Sequence, residues 1–537
     1  MDKKIMKRSA NDGKSKVEDA KTYGLNMNPL ANRHNLELMG TLPKPISLKV
    51  KKSIIGIGYE TLDRDTFDPA LTYDLMAKTG VKWARMQTGW IKCEKEKGVY
   101  DFRWLDETVN SLLAIGIEPW LSVSFGNPLY TPVEGYADYA EKHPGEKVPS
   151  TIRGYVGEVP MYHGDEAVKG WKNYLYAMAK HFKGRVSYWE IWNEPNTAPH
   201  GFWQTRNLYK YNDRDRSQFE KKCTEDYVKL VKISSEQIRK ANPDAKIIGG
   251  AISLAVDACF FMRNLAKAGI AKYIDILTFH PYGSNPEFGL EARYNNIRYE
   301  LDSHGGSHVK IWQGETGSQT LPDGVISAGT EYVQAKFITR RFTADFRIGC
   351  EMSSYFMVID KQNYGPQLYG VCGFGVMDCK GTPKLSYYAL QSMGYLFDSA
   401  EKAEDLYIRI NIYGTPRMYG SPTMSHLSRI SMVTNRFRRK GVPVFSYHVP
   451  ENPEISLEPG LIDIQLWIDE KDKLENPVLI DPVRGNVYRI KDFESCEQGF
   501  KLPPLGFDEN VQGFITLKGL PFVDYPLFIT DMSILEN

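Results

Sequence analysis

The amino-acid sequence contains a short apolar segment, a loop and an amphipathic segment that recur eight times between about residues 53 and 397. The apolar segments are nearly continuous, which is typical of strands buried on both faces of a parallel sheet. Eight such units predict the α/β class and a closed (β/α)8 TIM barrel. The predicted strands are residues 54–59, 81–87, 119–125, 187–193, 246–252, 274–280, 309–315 and 351–359.

An open, doubly wound sheet is the competing architecture, and it usually binds a nucleotide through a glycine-rich loop. Gly56 and Gly58 lack the third glycine of that fingerprint, and Gly373 and Gly375 do not lead from a strand into a helix. The sequence therefore favours the closed barrel, and no small-molecule cofactor is expected.

The period of the apolar residues changes to two after about residue 400, which is typical of antiparallel strands. These segments predict an appended antiparallel β-sandwich of roughly 130 residues. The charged run from Arg436 to Lys440 is placed in a solvated hairpin turn. We divide the chain into an N-terminal extension (1–45), a catalytic barrel (46–398) and a sandwich domain (399–537). The extension begins polar and lysine-rich, so partial disorder is expected, and its end can add a strand to the sandwich.

Composition excludes several classes of function. Lys and Arg total 67 and Asp and Glu total 66, so a net charge of +1 offers no basic field for nucleic acid or an anionic membrane. No apolar run approaches membrane-spanning length, and the basic start lacks the apolar region of a signal peptide, so a cytoplasmic location is expected.

The seven cysteines show no Cys-x-x-Cys spacing, which favours reduced thiols. Asp257, Asp275 and Asp360 lack the spacing of metal ligands, so no metal is expected.

Two glutamates stand at the ends of predicted strands. Glu194 follows the fourth strand, where Pro195 stops the ladder, and Glu315 ends the seventh strand and is flanked by glycines. The C-terminal strand ends of such a barrel form one bowl, so both carboxyl groups are expected there. Glycoside hydrolysis needs one protonated carboxyl and one ionised carboxylate. We assign Glu194, crowded by Trp192 and Pro195, as general acid and then base, and Glu315 as the nucleophile. Retention of configuration requires the two carboxyl groups to lie about 5–5.5 Å apart.

Further side chains at strand ends and in loops are candidate substrate contacts. Arg85 is the obvious cation to keep Glu315 ionised, and Asn193 offers an amide donor for a sugar 2-hydroxyl. A core position is the alternative for His280, and packing within a loop is as well supported as sugar stacking for each aromatic residue. The candidates are Arg85, Asn127, Asn193, His280, Tyr282, Trp90, Trp203 and Tyr364, with Tyr130 as a further aromatic residue.

The segment from Trp192 to Asn196 resembles the motif of the clan A retaining glycoside hydrolases, and in particular glycoside hydrolase family 39, the β-xylosidase and α-L-iduronidase family. The resemblance covers roughly residues 50–400, and the appended sandwich is similar to that family's usual layout. It implies the acid/base position for Glu194 and the nucleophile position for Glu315. It also implies that substrate-contact positions are occupied by Arg85, Asn193, His280 and Tyr282.

The sequence departs from many clan A enzymes just after the eighth strand, where those enzymes place a Trp beneath the cleaved sugar. This region contains Tyr355, Phe356 and Tyr364 but no Trp. Xylose is therefore not assumed as the sugar that is cleaved.

These observations predict a retaining glycosidase that cleaves β-glycosidic or α-L-arabinosidic bonds by double displacement. Long segments at residues 126–165, 196–217 and 360–382 favour a closed pocket and exo action on oligosaccharides. An endo-acting glycanase and a catalytically silent carbohydrate-binding barrel are the alternatives. An oligosaccharide or simple glycoside is the expected partner, and the surface beside the sandwich suits a homo-oligomer.

Overall fold

The structure is a computed structural model of the chain. It describes residues 28–31, 33–131, 139, 141–144, 158–197, 213–254, 258–320, 329–362, 371–413, 432–453, 460–468, 472–496 and 513–536.

Eight parallel strands close into a barrel in chain order. An outlying strand, β1 (Leu36–Thr41), precedes them, and the last barrel strand pairs with the first. The predicted (β/α)8 barrel is therefore confirmed. The barrel strands are β2 (Ile55–Gly58), β3 (Trp83–Gln87), β4 (Glu118–Val123), β5 (Tyr188–Ile191), β6 (Lys246–Ser253), β7 (Ile276–His280), β8 (Lys310–Thr316) and β9 (Ser353–Tyr355).

Helices follow the barrel strands and cover the outside of the sheet. Their apolar faces are buried against the strands, as on α3 (Arg103–Ala114), where Leu105, Val109 and Leu112 have no exposure. The α-helices in the described residues are α1 (Tyr73–Met76), α2 (Trp90–Cys93), α3 (Arg103–Ala114), α4 (Gly164–His181), α5 (Asp213–Ala241), α6 (Ala258–Lys267), α7 (Leu290–Ser303), α8 (Glu331–Ile348) and α9 (Leu385–Leu396).

Two predicted elements are shorter than the sequence suggested. The expected helix at 69–78 is a 3-10 turn (Pro69–Leu71) followed by α1, because the Thr72 hydroxyl donates back to the Pro69 carbonyl. The expected eighth strand at 351–359 ends at Tyr355. Beyond it, the Phe356 and Val358 amides still donate to Thr316 and Gly58 of the barrel, but the Met357 amide donates to Phe374, which interrupts the regular ladder.

The C-terminal part forms two antiparallel sheets, as predicted for a β-sandwich. A short hairpin of β10 (Lys361–Gln362) and β11 (Val371–Cys372) precedes it. One sheet has the order β1-β18-β17-β21-β15-β14-β12 and the other β13-β16-β20-β19, so β1 pairs with the far end of the chain. The sandwich strands are β12 (Ala400–Lys402), β13 (Tyr407–Tyr413), β14 (Val433–Arg439), β15 (Val442–His448), β16 (Gly460–Ile468), β17 (Pro477–Asp481), β18 (Asn486–Ile490), β19 (Phe493–Cys496), β20 (Gly513–Phe522) and β21 (Leu527–Asp531).

The prediction of a solvated turn for residues 436–440 is wrong for most of the run. Arg436 to Arg439 lie within β14, and only Lys440 lies in the turn, where it has φ 49°. Arg439 is buried, and its guanidinium donates to the carbonyls of Tyr395 at 2.8 Å and Ile534 at 3.1 Å. Backbone acceptors from two distant segments therefore satisfy a charge that the local sequence placed in water.

The sandwich packs against the barrel through α8 and the residue after α9. The rings of Phe397 and Phe437 stack with centroids 5.1 Å apart, and Phe346 of α8 lies 5.4 Å from Phe437. The two parts thus share one continuous apolar contact, which orients the sandwich relative to the barrel.

Within the described residues, no helix has both the length and the apolar character needed to cross a lipid bilayer.

Candidate active site

Glu194 and Glu315 lie at the same end of the barrel, where β5 and β8 finish. The turn after β5 has left-handed backbone at Trp192 (φ 70°) and Glu194 (φ 42°), which is uncommon for residues with a side chain. The pairing of β8 with β9 shifts register between Gln313 and Thr316, and such an irregularity re-aims the side chains beside it. Local backbone distortion thus accompanies each carboxylate.

His280 at the end of β7 lies between the two carboxylates. Its Nδ1 is 3.1 Å from Glu194 Oε1 and 3.9 Å from Glu315 Oε2, so these two oxygens are at most about 7 Å apart. The side chains of Glu194 and Glu315 remain 16% and 12% exposed, whereas the neighbouring Glu190 is fully buried. Only the first two of these three carboxylates can therefore meet a substrate in the bowl.

Arg85 on β3 joins this pair to the barrel interior. Its guanidinium donates to Glu315 Oε2 at 2.5 Å, to Glu190 Oε2 at 2.5 Å and to Asn193 Oδ1 at 2.8 Å. Burial alone would lower the pKa of Arg85, but the surrounding carboxylates raise it, so the side chain stays charged. One buried cation thus balances several acids and fixes the orientation of the Asn193 amide.

Tyr282 supplies the second donor to Glu315. Its hydroxyl lies 2.6 Å from Glu315 Oε1, on the carboxylate oxygen that Arg85 does not contact. Burial and the charge of Glu315 raise the pKa of Tyr282 well above its ordinary value, so the phenol keeps its proton and remains a donor. Glu315 is therefore held from two sides by groups that favour its ionised form.

Glu60 is a site residue that sequence reasoning missed. It follows β2, is 1% exposed, and its Oε1 accepts from Arg85 at 3.3 Å. Its Oε2 occupies the space beside Gly58, where an added Cβ would collide with it. Burial raises the pKa of Glu60 to about 8, with Arg85 opposing the shift and the charge of Glu315 adding to it. An acidic residue directly after the first strand was the signal available in the sequence.

The raised pKa of Glu60 predicts how the stability of the protein depends on pH. A folded-state pKa raised from 4.5 to about 8 contributes stability that is fully present below about pH 4.5 and is lost as the pH rises through about 8. Glu60→Gln keeps the shape of the side chain but cannot lose a proton. We therefore expect the free energy of unfolding of Glu60→Gln, relative to that of the parent protein, to rise by roughly 2 to 4 kcal/mol between pH 5 and 8.5. In thermal melts this is a relative gain in melting temperature of roughly 2 to 4 °C for a chain of this length.

The control for this measurement is Glu107→Gln, which removes an exposed carboxyl from α3. Its melting temperature should follow that of the parent protein at every pH. A Glu60→Gln difference that stays constant from pH 5 to 8.5 would show that Glu60 does not hold a proton in the folded state.

Two predicted substrate contacts are corrected by the structure. Asn127 is buried, and its amide donates to the Glu94 carbonyl at 2.8 Å while its oxygen accepts from the Leu129 amide. Trp90 is also fully buried, stacked between Tyr130 and Tyr174 at 5.1 and 5.5 Å. Both side chains hold loops in place and present no surface to a sugar. Each side chain points into the protein.

Two of the aromatic candidates, Trp203 and Tyr364, lie outside the described residues. Near the end of β9, where a Trp was missing, Phe356 and Phe374 pack edge-on against Tyr282 with centroids 6.5 and 6.1 Å away. These two rings form an apolar wall beside the tyrosine that donates to Glu315.

Comparisons with known proteins find the same fold and a partial match in sequence. A family model, Glyco_hydro_42, described as beta-galactosidase, matches residues 62–236, a stretch that includes Arg85 and Glu194. A family 39 glycoside hydrolase from the gut symbiont Bacteroides cellulosilyticus WH2 superposes with a TM-score of 0.59 at 17% identity, covering 91% of this chain and 83% of that one. The GH39 enzyme from Xanthomonas axonopodis pv. citri gives 0.50 at 14% identity, covering 93% and 97%.

At these identities the solved structures show the shared fold, and the family model adds a match in sequence. Together they confirm the predicted resemblance to the clan A glycoside hydrolases and the prediction that this protein is a glycosidase.

Proposed function

We propose that this protein is a retaining, exo-acting glycoside hydrolase in which Glu194 is the acid/base and Glu315 the nucleophile. The observation that carries the proposal is the short span between the two carboxylates, which His280 Nδ1 bridges at 3.1 and 3.9 Å. An upper limit of about 7 Å for that oxygen pair accommodates the 5–5.5 Å separation used for retention.

The surroundings of the carboxylates support this division of roles. Glu315 accepts from the charged Arg85 and the neutral Tyr282, and both donors favour an anion that attacks the anomeric carbon. Glu194 bonds to His280 Nδ1 at 3.1 Å and stays partly exposed to the bowl, as suits a group that passes a proton to the substrate. Glu194 then gives that proton to the leaving glycosidic oxygen as the bond from Glu315 to the sugar forms.

The second step reverses these roles. Water loses a proton to Glu194 and attacks the anomeric carbon, and the bond to Glu315 breaks to release the sugar with its original configuration. Asn193 is oriented because its Oδ1 accepts from Arg85 at 2.8 Å. In the proposed complex its amide nitrogen donates to the sugar 2-hydroxyl, a bond that strengthens as positive charge develops at the anomeric carbon.

The test is a panel of aryl β-xyloside, β-galactoside, β-glucoside and α-L-arabinoside, followed by proton NMR of the first product formed. We expect release of the aglycone from at least one of them and a product with the anomeric configuration of the substrate. An inverted first product would overturn retention, and binding without release would favour a silent carbohydrate-binding barrel. Mid-chain products from a polysaccharide, with poor turnover of aryl glycosides, would favour an endo-acting glycanase.

Two further expectations from the sequence stay predictions. Sedimentation velocity of the purified chain measures whether it forms the expected homo-oligomer. Fractionation of the source cells measures whether it has the expected cytoplasmic location.

A further inference from the structure

The loop after β7, residues 281–289, carries Tyr282 at one end and a buried ionic cluster at the other. Glu287 of this loop accepts from Arg340 of α8, whose Nε lies 3.0 Å from Oε1 and whose Nη2 lies 2.5 Å from Oε2. Arg340 also donates to Asn285 Oδ1 at 3.2 Å. The same guanidinium therefore contacts two side chains of the loop that positions Tyr282.

The sandwich completes this cluster. His448 at the end of β15 places Nε2 2.9 Å from Glu287 Oε1, although the two residues lie far apart in the sequence. The Asn285 amide donates to the Pro450 carbonyl at 3.0 Å, and Arg340 donates to the carbonyl of Glu451. We name Asn285, Glu287, Arg340 and His448 the Glu287 network. It joins the loop, α8 and the sandwich.

The charged and titratable side chains of the network are shielded from water, and their charges offset one another. The side chains of Glu287, Arg340 and His448 are 8%, 0% and 1% exposed, so the loss of one partner would leave a charge buried without compensation. Burial alone would raise the pKa of Glu287, but Arg340 and His448 lower it below its ordinary value. Burial lowers the pKa of His448, with Glu287 opposing the shift. Glu287 is thus an ionised anchor for the loop.

We propose that the sandwich positions Tyr282 against Glu315 through the Glu287 network, which makes Glu287 and His448 positioning residues of the glycosidase. This inference rests on the proposed function. It gives the appended sandwich a direct part in the reaction, because the donor to one oxygen of Glu315 sits on a loop that the sandwich clamps from its other end.

The chain offers a matched control. Lys336, one turn before Arg340 on α8, forms a second buried ion pair with Asp524 of the sandwich at 2.5 Å, with side chains 2% and 5% exposed. Asp524 has no described contact with loop 281–289. Glu287→Gln and Asp524→Asn therefore remove one buried carboxylate each from the same helix-to-sandwich seam. Glu287 lies on the loop itself, whereas Asp524 meets the Glu287 network only through its charge near His448.

We expect Glu287→Gln to lower kcat for an aryl glycoside by roughly tenfold to a hundredfold, because small displacements of a reacting group carry such effects. Asp524→Asn should stay within about twofold of the parent. The other groups that face Glu315 are unchanged in this variant: Arg85 from β3, Glu60 after β2, Glu194 after β5 and His280 from β7.

Two further measurements separate positioning from general stability. In a protein that already carries Tyr282→Phe, adding Glu287→Gln should lower kcat by less than about twofold. Glu287 acts by positioning the Tyr282 hydroxyl, and that hydroxyl is absent in this background. His448→Gln, which keeps a donor near Nε2, should retain activity within about threefold, whereas His448→Leu should lose as much as Glu287→Gln. Hydrogen exchange should accelerate across residues 281–289 in Glu287→Gln and His448→Leu, and stay unchanged there in Asp524→Asn.

Equal losses in Glu287→Gln and Asp524→Asn would overturn the proposal, as would an undiminished loss in the Tyr282→Phe background. If Glu287→Gln does not fold, the comparison of His448→Gln with His448→Leu decides in its place. If the parent protein turns over no glycoside, the proposed function is wrong. The hydrogen-exchange measurement would then still show whether the sandwich holds loop 281–289 in place. Unchanged exchange in Glu287→Gln and His448→Leu would show that it does not.

Discussion

Glu315→Gly is expected to lower kcat for an activated aryl glycoside by roughly 10⁴-fold, and added azide should restore much of the turnover. The substitution removes the carboxylate that Arg85 and Tyr282 hold at 2.5 and 2.6 Å and leaves a space lined by a cation and a hydroxyl donor. A small anion can occupy this space and attack the anomeric carbon from the nucleophile's side. The measurement is aryl release with and without azide, with the product configuration read by NMR.

The product of that rescue should be a glycosyl azide of inverted configuration, because only one displacement takes place. Glu315→Gln is the matched control: it should be as inactive as Glu315→Gly, but its amide fills the space and should block rescue by azide. Full activity in Glu315→Gly would remove the nucleophile assignment. A rescued product of retained configuration would mean that the Glu315 carboxylate lies on the acid/base side of the sugar and not on the nucleophile's side.

Glu194→Ala should give a loss that depends on the leaving group. A dinitrophenyl glycoside leaves without protonation, so its first step should be nearly unaffected. A glycoside of a simple alcohol should lose roughly 10³-fold, which is within the range attributed to general acid catalysis. Azide should accelerate the second step and give a glycosyl azide of retained configuration, because it attacks the intermediate from the side that Glu194 faces. Stopped-flow assays across a series of leaving groups measure this dependence.

The same series of leaving groups, measured on the parent protein and on Glu315→Gly, provides the comparison. For Glu194→Ala, the slope of log rate against leaving-group acidity should be steeper than in the parent, since no acid assists departure. Equal losses for every leaving group would assign Glu194 to substrate binding and not to proton transfer. Loss of the basic limb of kcat/KM should accompany the steeper slope.

The barrel was predictable because its pattern is local. Near-continuous apolar segments separated by amphipathic helices identify parallel strands, and the ends of those strands identify Glu194 and Glu315 without knowledge of any contact. The catalytic roles of these residues stay predictions. The positions of Arg85 within a strand and of His280 and Tyr282 at a strand end were likewise available from the sequence, and the structure brings all three beside the two carboxylates.

What could not be predicted depends on side-chain direction and on distant partners. Glu60 turns back over Gly58 into the barrel, whereas Trp90 and Asn127 turn away from the bowl, and no periodicity records such a choice. Arg439 is buried because carbonyls of Tyr395 and Ile534 meet it. Contacts of this kind exist only after residues from separate segments have assembled.

The pairing of Leu36 with Ile490 has a consequence for how the protein is made. At ribosomal rates of about 5–20 residues per second, β1 is synthesised between roughly 20 and 90 s before its partner strand exists. For most of that interval the barrel is itself being synthesised, and the backbone donors and acceptors of β1 have no β18 to join. The first strand of the described chain is thus among the last to pair, and a nascent chain halted after the barrel would carry it as an exposed edge.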